Sequence, residues 1–89
     1  MSRLKWSFKK YVEFLECYGF KFGHVEGSHY YYNGRIYGVD RVVQVIFSNK
    51  EKGCQTIKTI KMGMKHSGIP KKYYEEWDRA DIVHKEIIY

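Results

Sequence analysis

The residues best suited to chemistry lie in Glu26-Gly27-Ser28-His29-Tyr30-Tyr31-Tyr32. Side chains alternate along a strand, so Ser28, Tyr30 and Tyr32 share one face and His29 and Tyr31 the other. If Tyr30 and Tyr32 pack under helices, His29 points to the open face. An exposed imidazole takes up and releases protons near neutral pH. Cleaving an RNA chain through its own 2′-hydroxyl needs two such groups. A base removes the 2′-hydroxyl proton, and an acid protonates the departing 5′-oxygen. Read bare, the same pattern also fits a histidine that only decorates a strand. The tyrosines could stack nucleobases, and two of the three serve equally well as core.

The remaining candidates are weaker. His24 alternates in step with Phe20 and Phe22, so it is expected partly buried with a satisfied partner. A metal pair of His24 and His29 lacks further well-spaced ligands and is rejected. His66 falls opposite the apolar stripe of a helix and is expected to be solvated, while His84 lies in a tail of ambiguous structure. Cys17 and Cys54 have no adjacent base to activate a thiol and form no CxxC pair. Two reduced thiols in a cytoplasmic protein is the expected state. Lys58, Lys61 and Lys65 make one row on a helix. That row would suit phosphates or would simply be a solvated flank.

These residues need elements to hold them. The first helix is expected over 7–18. Ser7 is its N-cap, Phe8, Tyr11, Val12, Leu15 and Tyr18 form its stripe, and Gly19 provides a left-handed exit. Three strands should follow. The first covers 20–25 and turns at Glu26-Gly27. The second covers 28–32 and ends at the strong turn signal Asn33-Gly34, with Tyr37-Gly38 lengthening the connection. The third covers 41–47, with Val43 and Val45 facing inward. A second helix over 56–67 places Ile57, Ile60 and Met64 on its buried stripe, and Gly68 and Pro70 end it. Residues 71–79 read as a short amphipathic helix with Tyr74 and Trp77 apolar. Residues 81–89 fit either helix or strand. The result is an α+β domain of two layers, with a core over about 7–69 and an appendage over about 70–89.

Composition agrees. Eighty-nine residues make one small domain, and 44% hydrophobic content suffices for a core. No apolar run approaches a bilayer span, and the first residues lack a secretion signal's apolar stretch. The net charge is +6, and residues 1–70 hold 12 basic against 5 acidic side chains. Such a domain attracts polyanions, of which nucleic acid is the commonest.

In Gly27-Ser28-His29, following a helix that ends Leu15-Glu16-Cys17-Tyr18-Gly19-Phe20, the chain resembles HicA-type toxins. These are messenger-RNA interferases of prokaryotic toxin–antitoxin systems. A second marker is Thr56-Ile57-Lys58-Thr59-Ile60, with Ser67-Gly68-Ile69 after it. The resemblance spans 7–77 and rests on the order and spacing of both markers. It implies a fold like the double-stranded-RNA-binding domain and RNA cleavage that needs no metal or other cofactor. It implies that His29 is the catalytic histidine and that a HicB-type antitoxin masks the site. Gly27, Ser28 and Tyr31, with Lys58, Lys61 and Lys65, are then the expected RNA contacts. The chain departs from the family where Ile46-Phe47 replace a usual Pro and His, and where Gln55 replaces a Gly. The second proton-transfer group is therefore open among His24, Tyr31 and the lysines of the second helix. The alternative reading is a module of the same fold that binds RNA without cutting it. A third is an adaptor whose basic face meets an acidic protein.

Overall fold

The chain lays down a helix, a three-stranded antiparallel sheet in the order β1-β2-β3, and two further helices. This is the α+β layout in the computed structural model, which describes residues 6–47 and 57–89. Helix α1 is Phe8–Cys17, and the strands are β1 Lys21–Glu26, β2 His29–Ile36 and β3 Val39–Ile46. Helix α2 is Ile57–Ser67 and α3 is Lys71–Ala80, followed by a 3₁₀ turn at Lys85–Ile87. The expectations at Cys54, Gln55 and Thr56 lie outside the described residues.

Helix α1 begins where Ser7 Oγ accepts the backbone N–H of Lys10 at 3.1 Å, which satisfies one of the unpaired amides of the first turn. It ends with Gly19 at φ 81°. There the N–H of Phe20 reaches the Leu15 carbonyl at 2.9 Å and that of Gly19 reaches Glu16 at 3.0 Å. This paired-bond exit brings Phe20 and Leu15 together in the core.

Strand β2 runs through the expected turn and two residues past it, to Ile36. Asn33-Gly34 sits mid-strand, paired with Val42 and Arg41. The reason is packing. A Cβ on Gly34 would lie 2.6 Å from the Phe20 ring, so the missing side chain makes room for an aromatic laid across the strand. The chain reverses instead at Tyr37-Gly38, both at positive φ (54° and 75°). That is the two-residue turn whose twist matches an antiparallel pair. The amides of this turn donate outward, Tyr37 to the Ile87 carbonyl at 2.9 Å and Gly38 to Tyr89 at 2.6 Å.

The two faces of the sheet differ sharply. Tyr32, Ile36, Val43 and Val45 are buried under the helices, with the two valines inward as expected. Tyr30 shares their face and packs edge-on against Phe8 at 4.9 Å. Arg41 is the charged member of this face. Its guanidinium lies against Gly68, and its Nε is buried with no hydrogen-bond partner among the described residues. Strand β1 is an exposed edge along its whole length.

Residues 70–89 are not peripheral. Tyr74, Trp77 and Ile87 belong to the same core cluster as Trp6, Phe14 and Tyr32. The Trp6 ring stacks on Tyr74 at 5.4 Å, and Phe14 contacts Tyr74 at 4.4 Å and Trp77 at 5.3 Å. Helix α3 thus covers the aromatic residues of α1 that face away from the strands. A polar seam threads this cluster. The Tyr11 and Tyr74 hydroxyls are hydrogen-bonded at 2.9 Å, and Ser67 Oγ lies 3.1 Å from Tyr74. Burial raises both phenols, Tyr74 to about 12, so each keeps its proton for the seam.

Candidate functional site

His29 is the first residue of β2, directly after the exposed turn residues Gly27 and Ser28. It pairs across the sheet with Glu26 on one side and Ile46 on the other. Because Tyr30 and Tyr32 are committed to the helices, His29 and Tyr31 stand on the opposite face. Both are partly exposed. Of the expected site residues, His29 and Tyr31 thus share one end of the uncovered face, and the exposed turn residues Gly27 and Ser28 adjoin it in sequence.

His24 also stands there, contrary to its expected place beside Phe20 and Phe22. The cause is a bulge. Phe22 pairs with Tyr32, but His24 pairs with Tyr31, so Gly23 is an extra residue in β1. Each bulge reverses the alternation beyond it. Gly23 suits this position because a Cβ there would crowd the Asn33 side chain and lie 3.2 Å from the Tyr31 carbonyl oxygen. The His24 ring then stacks flat on Tyr31, with centroids 4.5 Å apart and planes within 9°. Glu26 Oε2 is 3.7 Å from His24 Nε2, an ion pair when that ring is protonated. The signal for this was present in the sequence, since an isolated Gly within a strand pattern marks bulges.

A groove of about 530 Å³ opens between β3 and α2. Its sheet wall is Tyr31, Val42, Gln44 and Ile46, and its helix wall includes Lys58, Met62 and His66. Val42 and Met62 are about half exposed, at 51% and 46%. His66 is exposed, as expected, and also borders this groove. It sits one turn after Met62 and two turns after Lys58, all on the flank of α2 that turns toward the sheet. Lys58 is the one member of the lysine row that lines the groove. Lys61 and Lys65 are exposed and do not line it. The lining residues include one lysine, Lys58, and no carboxylate.

His84 belongs to a different part of the molecule. Its ring bonds Glu76 through Nε2 and Glu86 through Nδ1, and it stacks on Tyr73 at 3.8 Å. Its backbone N–H donates to the Tyr18 hydroxyl at 2.9 Å. The hydrogen bond to Glu76, more than any other neighbour, raises the His84 pKa. This histidine pins the tail to α1 and α3. Cys17 is a free, exposed thiol. Among the described residues no group of three or more His, Cys, Asp or Glu side chains is placed to hold a metal ion, and no helix is long and apolar enough to cross a membrane.

No protein-family model, curated protein or solved structure matches the chain.

Proposed function

We propose that the chain is a HicA-type messenger-RNA interferase with a fold like the double-stranded-RNA-binding domain, and that His29 carries the proton transfer. The observation that carries this reading is the position of Gly27-Ser28-His29. The histidine follows a tight turn on the sheet face away from Tyr30 and Tyr32, which α2 borders along β3, with Tyr31 two residues along on that same face. RNA lies along this face. Its 2′-oxygen attacks the adjacent phosphorus, the bond to the 5′-oxygen breaks, and the products are a 2′,3′-cyclic phosphate and a 5′-hydroxyl. Lys58 on the groove rim, and Lys61 and Lys65 beyond it, attract the phosphates. The apolar groove walls and the Tyr31 ring suit an unstacked base. A HicB-type antitoxin neutralises the protein by covering the open face.

The direct test is cleavage of labelled single-stranded RNA by the purified chain with EDTA present. His29→Ala should stop cleavage while RNA affinity falls far less, because phosphate contacts carry most of the binding.

One observation favours a second reading. Phe47 stands where the family usually has its second histidine, and it packs on Phe8 at 5.3 Å and Tyr30 at 6.1 Å. A domain that uses this position for packing could hold RNA without cutting it. Tight, salt-sensitive binding without cleavage by the wild type would establish that reading.

A further inference from the structure

We infer that His24 is the second proton-transfer residue of the RNA-cleaving site, turned onto the His29 face by the bulge at Gly23. The inference rests on the cleavage reading above. Three observations converge on it. The bulge reverses the alternation of β1, so that an imidazole due on the Phe22 face emerges on the His29 face. Bulges recur beside active sites because they re-aim single side chains in this way. Second, the ladder fixes the spacing. Glu26 pairs with His29 and His24 pairs with Tyr31, so His24 is the diagonal neighbour of His29. Diagonal neighbours stand roughly 7–8 Å apart at the backbone. That leaves room for one phosphodiester between two rings, each within hydrogen-bond reach of a different oxygen. Third, the ring is held. It lies flat on Tyr31 and has the Glu26 carboxylate at 3.7 Å, although its side chain is 59% exposed.

The roles divide by neighbour. His24, whose Nε2 lies 3.7 Å from Glu26 Oε2, is assigned the acid. Its proton passes to the departing 5′-oxygen as the P–O5′ bond breaks. His29 is the base and receives the 2′-hydroxyl proton as the 2′-oxygen bonds to phosphorus. One proton enters the pair and one leaves it, and water later restores both rings. The other charged and titratable groups on this face near His24 are Lys21 and Glu26 on β1 and Tyr31 on β2. No second histidine from the end of β3 is then needed, which accounts for Phe47.

An oligonucleotide cut by the wild type at a mapped bond tests this. It is compared with the same oligonucleotide carrying sulfur in place of the 5′-oxygen at that bond. A thiolate leaves without a proton. His24→Ala and His24→Gln should cut the ordinary RNA about 10²–10⁴-fold more slowly, and cut the sulfur-linked RNA within a few-fold of wild type. His29→Ala should be slow on both. The kcat/KM profile of His24→Gln should lose the decline at high pH that an acid imposes. Melting curves check that all three variants fold. His24 variants that cut ordinary RNA at the wild-type rate overturn the inference and leave the cleavage reading standing. So does an equal slowing on both linkages, which marks a structural role. A wild type that cuts neither substrate overturns both.

Discussion

Strand β2 presents two surfaces one residue out of step, and they have opposite fates. Tyr30 and Tyr32 face the helices, where ring contacts join Phe8, Phe22 and Phe47. His29 and Tyr31 face the other way, partly exposed, with cross-strand partners that are mostly polar. The same three consecutive tyrosines therefore do different things according to parity alone. A domain this small has little to spare for its core, so it gives one face of β2 and β3 largely to packing and keeps the other for contacts. Substitutions on the two faces should separate stability from function.

The largest effect is expected on the covered side. Phe14→Ala removes a ring held between Trp6, Tyr74 and Trp77, at a cost of about 3–5 kcal/mol. For a small domain that is most of its stability, so a chemical-denaturation curve should show little or no folded baseline. The mirror experiment is His29→Ala. Its melting temperature should stay within a few degrees of wild type, while RNA cleavage falls by about 10²–10⁴. A large loss of stability in this variant would break the division between the faces.

Tyr74→Phe sharpens the comparison within the core. It deletes one hydroxyl and leaves those of Tyr11 and Ser67 buried without it, which should cost about 1–3 kcal/mol. Equilibrium unfolding should show this with RNA affinity unchanged. Next is the lysine row. Lys58→Gln, on the groove, should weaken RNA binding more than Lys61→Gln or Lys65→Gln. The triple change should flatten the salt slope by up to about 0.7 per lost phosphate contact. Equal effects from all three would make the row a diffuse field rather than a groove rim.

The smallest effect concerns pH. His84 has a raised pKa in the folded state, chiefly through Glu76. Its stabilisation is fully present below the unfolded value of 6.5 and is lost as pH rises through the folded value. The melting temperature should drift down slightly over that range, and Glu76→Gln should flatten the drift.

Local rules made parts of this fold legible. Ser7 and Gly19 bracket α1 because capping needs only neighbours, and Val43 and Val45 are inward because they alternate around Gln44. What escaped is what depends on a distant partner. Asn33-Gly34 has turn chemistry, yet Phe20 lies across it, and nothing near residue 34 announces that ring. His24 follows Phe22 in step until Gly23 adds a residue, and whether a strand glycine bulges is decided by the Tyr31–Asn33 segment beside it. His66 gained its groove from the sheet wall opposite, which helical spacing alone does not reveal. The weight of α3 in the core was hidden for a similar reason. Its partners, Trp6 and Phe14, lie at the other end of the chain.

That last pairing bears on the order of folding. Trp6 and Tyr74 are separated by most of the sequence, and so are Trp6 Nε1 and the Asp78 carboxylate it donates to at 2.7 Å. The hairpins β1-β2 and β2-β3 close over short loops and lose little entropy in doing so. Docking α3 onto α1 closes a loop of most of the chain and must wait for them. The sheet that carries His29 thus rests on contacts of short sequence separation, while the aromatic cover over α1 is completed by the most distant contacts in the chain.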